Sequence, residues 1–255
     1  MDLIINTVYS NTLWLYKVIY SNKLFFIDFW TFNHIWSGAF IYLILKAKNV
    51  SRVWLVLIIL LLTYELIEIM FRIFALDLFK PEIIKDQIND VIFGIFGAIL
   101  CRFLLKIRKS RSWDVFHLRY PLTSLFTSGT ISYLAVGFSY RQNLVQDNGV
   151  IYVLCHFIFL WFALYYLLQF YEMFKAKGYG ELKSKMAAIG IFWAMYVLIM
   201  LAVDTLASSK EGATSIYFTQ KPYTAIEIVL YAILPIICIV FYKMIKMLVV
   251  KADGV

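Results

Sequence analysis

TYELIEIMFRIFALDLFKPEIIKDQINDVIFG, residues 63–94, contains the end of one long apolar segment and the start of the next. Each segment is long enough to cross a bilayer as a helix, which takes about 20 apolar residues. Charged side chains are costly at membrane depth, where they normally face protein or water. Ionisable residues nevertheless lie within or beside these two segments, among them Glu65, Glu68, Arg72, Asp86 and Asp90. The stretch therefore predicts both a membrane fold and the position of a polar site inside it.

The composition of the whole chain indicates the same class. Of its 255 residues, 62% are hydrophobic and 16% are charged, and the mean hydropathy is +0.78. We expect an all-α integral membrane protein with short loops and seven or eight transmembrane helices. Residues 121–140 form a seventh span rich in hydroxyls, and residues 3–20 fit either a short eighth span or an interfacial amphipathic helix. The six clearest spans are 24–46, 53–75, 83–106, 150–174, 186–207 and 224–248.

The distribution of basic residues predicts the orientation of the chain. The formal net charge is +8, but the basic residues cluster after alternate apolar segments, as they do in cytoplasmic loops, so nucleic acid is not the expected partner. These clusters fall at 46–52, 102–111, 175–185 and 243–251. The C-terminus is therefore expected in the cytoplasm.

We predict one transmembrane domain over 1–255, with a three-helix part (24–106), a basic segment on the cytoplasmic membrane surface (107–120) and a four-helix part (121–250).

In this orientation, several polar residues converge on the outer half of the membrane. Glu65 and Glu68 are three residues apart and share a helix face, which Arg72 continues, while Asp86 and Asp90 share a face of the next helix. Antiparallel helices joined by short loops usually pack as neighbours. The predicted polar pocket consists of His34, Glu65, Glu68, Arg72, Asp86, Asn89 and Asp90.

Structural roles are open for several members of this set. Glu68 and Arg72 fit an intrahelical ion pair, and Asp86 fits a first-turn acid stabilised by the helix dipole. His34 alone fits a hydrogen-bonded core histidine. The small residues Gly94 and Gly97 favour close helix packing.

A second set of polar residues lies in the other half of the chain. It consists of His156, Asp204 and Glu227, again near predicted outer helix ends. Glu172 is different, because it is expected near the cytoplasmic end of its helix, in a surface ion pair with Lys175 or Lys177.

Three motifs, FNHIWSG (32–38), YELIEI (64–69) and DQINDVIFGIFGA (86–98), resemble the VanZ-like membrane proteins and the related YjdF-type family. The matching positions are His34, Glu65 or Glu68, Asp86, Asp90 and Gly97, all within residues 24–106. The sequence departs from the VanZ pattern at Asp90 and Gly94, where that pattern has Asn followed three residues later by Gly. The resemblance implies a bacterial envelope location, in a family associated with glycopeptide resistance, and a polar core. It implies no particular reaction.

The residues leave three functions open. The first is binding or processing of an amphiphilic envelope lipid by a pocket that faces outward from the cell inner membrane. This function leaves open a divalent metal ion as cofactor, held by His34, Glu65 and Asp90. The second is a non-catalytic subunit of a larger membrane complex, and the third is a small proton-coupled transporter. Whether the protein is an enzyme is left open.

Overall fold

The computed structural model describes residues 13–22, 25–74, 84–108, 121–141, 150–208 and 225–254. Within these ranges the chain is predominantly helical, which confirms the predicted helical class. A 3₁₀ turn (Leu13–Tyr16) and an antiparallel hairpin of β1 (Val18–Ser21) and β2 (Phe26–Asp28) precede the helices. The helices are α1 (Phe29–Ala47), α2 (Val53–Phe74), α3 (Ile84–Arg108), α4 (Pro121–Arg141), α5 (Val150–Ala176), α6 (Glu181–Ser208) and α7 (Ala225–Asp253).

Four helices in the described part of the chain are long and apolar enough to cross a membrane. These stretches are Val53–Phe71 in α2, Lys85–Lys106 in α3, Leu154–Ala176 in α5 and Ala232–Asp253 in α7. They coincide with four of the predicted spans and support a membrane protein. The predicted basic surface segment, 107–120, falls outside the described residues from 109 onward.

The structure differs from the helix predicted for residues 3–20 in the part that it describes, residues 13–20. Residues 3–12 lie outside the described range, but residues 13–20 form the 3₁₀ turn and most of β1 instead of a helix. The predicted span 24–46 also starts too early, since residues 26–28 form β2. Val18, Ile19 and Tyr20 are β-branched or aromatic residues that favour a strand, and Tyr20 pairs with Ile27 across the hairpin.

Asp28 sets the first residue of α1. Its Oδ1 accepts a hydrogen bond from the backbone N–H of Thr31 at 2.9 Å, and Thr31 Oγ1 accepts one from the backbone N–H of Asp28 at 3.1 Å. This reciprocal capping box satisfies two backbone donors that would otherwise have no partner. The hairpin is also tied to α3, because Lys85 Nζ donates to the backbone carbonyl of Asn22 at 2.5 Å.

The chain divides into two compact units, of which the first contains residues 1–110 and 247–255. Its centre is the contact between α1 and α3. A methyl group added at Gly38 would overlap the carbonyl oxygen of Gly94, and one added at Gly97 would overlap the carbonyl oxygen of Ile35. The two backbones therefore touch, as small residues permit. The predicted packing role of Gly94 and Gly97 is confirmed.

The second unit contains residues 111–246. α5 packs against both α4 and α6, and these helices share an apolar core with α7. Most described Ser and Thr residues of α4 are buried, as expected for a helix packed inside a bundle, and two hydroxyls bond back to their own helix. Ser128 Oγ donates to the carbonyl of Leu125 at 3.0 Å and Thr130 Oγ1 to that of Phe126 at 3.1 Å.

Candidate functional site

The candidate site lies next to a layer of tight packing in the first unit. Gly38 of α1 touches Gly94 of α3, and a methyl group on Gly94 would come within 2.9 Å of the side chain of Leu61 on α2. Gly38, Gly94 and Leu61 thus hold three helices together at one level. Any residue about one helical turn from this layer on the same faces is directed toward the same interior space.

One turn from that layer, three ionisable side chains meet. His34 precedes Gly38 by four residues, Asp90 precedes Gly94 by four, and Glu65 follows Leu61 by four. A four-residue step returns to nearly the same helix face. One donor atom from each of His34, Glu65 and Asp90 lies within 4.8 Å of the others, and all three residues are buried. We call this group the His–Glu–Asp site.

Histidine and aspartate form the closest pair in this site. His34 Nε2 lies 3.4 Å from Asp90 Oδ2, and the side chains are only 6% and 9% exposed. The nitrogen is nevertheless without a hydrogen-bond partner, as is Glu65 Oε2. The pair is therefore near enough to share a ligand but is not joined by a hydrogen bond.

The burial pattern of α2 explains why Glu65 faces inward. Its buried residues, Leu57, Leu61, Glu65 and Glu68, recur every three or four positions and form one stripe. The expectation that the two glutamates share a face is confirmed. Both are enclosed by protein, whereas the other faces of α2 expose large apolar side chains.

Two aromatic rings flank His34. Its ring is edge-on to Trp30 and to Tyr64, with centroid distances of 6.1 and 6.2 Å. Tyr16 stacks on Trp30 at 6.1 Å, which connects the N-terminal turn to this cluster. The aromatic rings exclude water from one side of the imidazole and restrict its rotation.

The remaining predicted pocket residues divide into three groups. Glu68 and Asn89 are buried nearby on the same two helices, and Asn89 Nδ2 makes no hydrogen bond. Asp86 is half-buried in the first turn of α3 and is not among the three clustered donors, which agrees with a helix-dipole role. The side chain of Arg72 lies outside the described part, so its pairing with Glu68 stays a prediction.

The closeness of two carboxylates is the main electrostatic feature of the His–Glu–Asp site. Two carboxylates within a few ångströms of each other inside a bilayer repel, and each also loses its hydration. Among the described side chains no lysine or arginine forms an ion pair with Glu65. The negative charge of the site can therefore be neutralised either by bound protons or by a bound cation.

The second predicted cluster is described only at one member. His156 is buried in α5, whereas the side chains of Asp204 and Glu227 lie outside the described residues, so the cluster stays a prediction.

The expectation for Glu172 was wrong about its partner. It is buried, and its Oε1 lies 3.4 Å from Nζ of Lys246 on α7, instead of pairing with Lys175 or Lys177 at the surface.

Sequence reasoning missed the residues that build the site without being charged. Trp30 and Tyr64 surround the imidazole, and Leu61 completes the packing layer. A four-residue interval between a small or apolar residue and an ionisable one, repeated on three helices, was the available signal. Aromatic residues gave no such signal, because the chain contains many in every apolar segment.

Comparison with known proteins gives no assignment of family. No protein-family profile matches the chain, and neither a curated protein nor a solved structure matches it.

Proposed function

We propose that the chain is a seven- or eight-helix protein of the cell inner membrane that binds or processes the polar head of an amphiphilic envelope lipid at the His–Glu–Asp site. The observation that carries this proposal is the convergence of His34, Glu65 and Asp90 within 4.8 Å inside the protein. Ionisable residues buried in this way mark binding sites or pathways in membrane proteins.

The surface beside the site favours a ligand with an apolar tail. Tyr64 and Leu66, the neighbours of Glu65 on α2, are 45% and 59% exposed, while Glu65 itself is 7% exposed. One residue step rotates about 100° around the helix. Glu65 thus lies one helix position from an exposed apolar surface, and the proposed lipid would leave its tail on that surface and direct its head toward the carboxylate.

The proposed orientation follows the positive-inside rule. It puts the C-terminus in the cytoplasm and the His–Glu–Asp site in the outer half of the membrane. Reporter fusions at the C-terminus and in the loop after α2 test this arrangement, since the two positions should report opposite sides. Identical sides would contradict the topology.

We further propose that the protein is VanZ-like. The support is the set of motif positions His34, Glu65 or Glu68, Asp86, Asp90 and Gly97. Of these, His34, Glu65 and Asp90 meet in one site and Gly97 packs α3 against α1.

The functional proposal is tested by the lipids that purify with the protein. Lipids extracted from protein in mild detergent are compared by mass spectrometry for the wild type, Glu65→Gln and Asp90→Asn. We expect one lipid class to be enriched in the wild type and depleted in both variants. Glu172→Gln is the matched control, because it also neutralises a buried acid but in the other unit. Equal lipid profiles in all four proteins would overturn the proposal.

The same preparation separates the two other functions. A stoichiometric protein partner that co-purifies would favour a complex subunit. Proton uptake coupled to a solute in proteoliposomes, lost in Glu65→Gln, would favour a transporter.

A further inference from the structure

We propose that His34, Glu65 and Asp90 bind one divalent metal ion of the Zn²⁺, Mn²⁺ or Fe²⁺ class. This inference deepens the proposed function, on which it rests for the role of the ion, and it concerns the same site. It is carried by the geometry of the three side chains and by two buried atoms, His34 Nε2 and Glu65 Oε2, that make no hydrogen bond.

The geometry fits two ligands of one ion. Metal–nitrogen and metal–oxygen bonds to Zn²⁺ are about 2.0–2.2 Å, so two ligands at a tetrahedral angle lie about 3.4 Å apart. His34 Nε2 and Asp90 Oδ2 are separated by 3.4 Å. The third donor, from Glu65, lies within 4.8 Å of both. Glu65 has three side-chain torsions, so we expect a change of rotamer to bring its oxygen closer to the other two donors when the ion binds.

The polar atoms of the site require a partner. His34 Nε2 and Glu65 Oε2 are buried and make no hydrogen bond. A buried polar atom without a partner costs about 1–3 kcal/mol, and more when it carries charge. A cation placed among the three side chains satisfies both atoms and also offsets the repulsion between the two carboxylates.

The ligand set indicates the class of metal. One imidazole nitrogen and two carboxylate oxygens suit borderline cations better than Ca²⁺ or Mg²⁺, which prefer oxygen ligands alone. Among the described residues no cysteine joins the cluster, so a thiolate site is not formed there. Three protein ligands are typical of sites that keep a further position open for an exogenous oxygen, and the head group of the proposed lipid supplies such an atom.

The first test uses the wild-type protein. Protein purified in detergent is stripped with EDTA, dialysed, and titrated separately with Zn²⁺, Mn²⁺ and Mg²⁺ while bound metal and thermal unfolding are measured. We expect one bound ion per chain and a higher Tm with Zn²⁺ or Mn²⁺, and neither effect with Mg²⁺. No binding of Zn²⁺ or Mn²⁺ by the wild type would overturn the inference.

Variants then locate the ion. Glu65→Gln and Asp90→Asn should each weaken binding at least about ten-fold, by analogy with the loss that follows removal of even a supporting group. Glu172→Gln and His156→Gln should bind as the wild type does, and unchanged binding in Glu65→Gln and Asp90→Asn would place the ion elsewhere. If a site variant fails to fold, X-ray absorption of the Zn²⁺-loaded wild type decides: the first shell should contain one imidazole nitrogen among oxygen ligands, and a shell without imidazole would count against the site.

The two proposals fail in different ways. Enrichment of a lipid without metal binding would remove the metal and retain the lipid function. Metal binding without lipid enrichment would retain the metal site and remove the lipid function.

Discussion

Gly38 and Gly94 hold α1 and α3 in backbone contact one helical turn from His34 and Asp90. The glycine contact and the His34–Asp90 pair therefore lie at matching positions on the two helices, one turn apart. A change at either glycine is transmitted to the distance between the imidazole and the carboxylate.

Adding one methyl group at this contact should destabilise the protein. Gly38→Ala and Gly97→Ala each place a Cβ against a backbone carbonyl oxygen, which cannot move as a flexible side chain can. Overpacking of this kind costs about 1–3 kcal/mol. We expect both variants to lower the Tm measured in detergent.

Gly190→Ala in α6 is the matched control. A Cβ at Gly190 would meet nothing within 4 Å, and alanine is the better helix former. Its Tm should equal or exceed that of the wild type. A fall as large as that of Gly38→Ala would show that loss of any helical glycine, and not the contact, is responsible.

Removing the cap of α1 should loosen the helix start. Asp28→Ala deletes the acceptor for the Thr31 N–H, a loss of about 0.5–2 kcal/mol. Asp28→Ser retains a capping oxygen and should restore most of the stability. Hydrogen exchange at residues 29–32 measures the effect. Equal exchange in the two variants would exclude the cap as its cause.

The pair between Glu172 and Lys246 should contribute more than an ordinary surface pair. Lys246→Met leaves the carboxylate buried without this cation and should cost about 1–3 kcal/mol. The double variant with Glu172→Gln should regain most of that loss, and the difference is measured as a double-mutant cycle. Lys251→Met, at an exposed position of the same helix, is the control. Additive effects in the cycle would mean that the two residues are not coupled.

Neutralising Glu65 should have opposite effects with and without metal. In EDTA, Glu65→Gln removes one of two carboxylates that repel each other and should raise the Tm above that of the wild type. With Zn²⁺ present the wild type should have the higher Tm, because only the wild type retains all three ligands. The same order under both conditions would contradict this coupling between metal and stability.

The stability contributed by the Glu181–Lys243 contact between α6 and α7 should decrease at acid pH. Hydrogen bonds from Lys243 and Lys185 lower the pKa of Glu181 from its ordinary value of 4.5 to about 2. A lowered folded-state pKa means that the contribution is complete above about 4.5 and is lost as the pH falls toward 2. The difference in Tm between the wild type and Glu181→Gln should be small, since Glu181 is exposed, and should vanish at the acid end. A difference that grows on acidification would contradict the assignment.

Periodicity and charge predicted the helices and the principal site residues because both depend on local spacing. Glu65 shares a face with Glu68, as the sequence indicated, whereas the contact that brings Asp90 to His34 joins α1 and α3, which are not consecutive helices. The hydrophobic runs at α2, α3, α5 and α7 likewise coincide with helices of membrane-spanning length.

Sequence reasoning failed where a partner distant in the chain decides the structure. Lys246 lies 74 residues from Glu172, so local spacing pointed to the wrong lysine. The strand at 18–21 forms because it pairs with 26–28, and apolar composition alone cannot distinguish such a hairpin from a helix end.

The four-residue intervals on α1, α2 and α3 have a consequence for how the sequence can vary. One residue inserted between His34 and Gly38 would rotate the imidazole by about 100° away from Asp90 while leaving every side chain chemically unchanged. Substitutions that preserve volume at the other positions of these helices are compatible with the site, whereas insertions and deletions between the glycines and the ionisable residues are not. In the first unit, the length of the chain between two positions is thus as restrictive as the identity of the residues that occupy them.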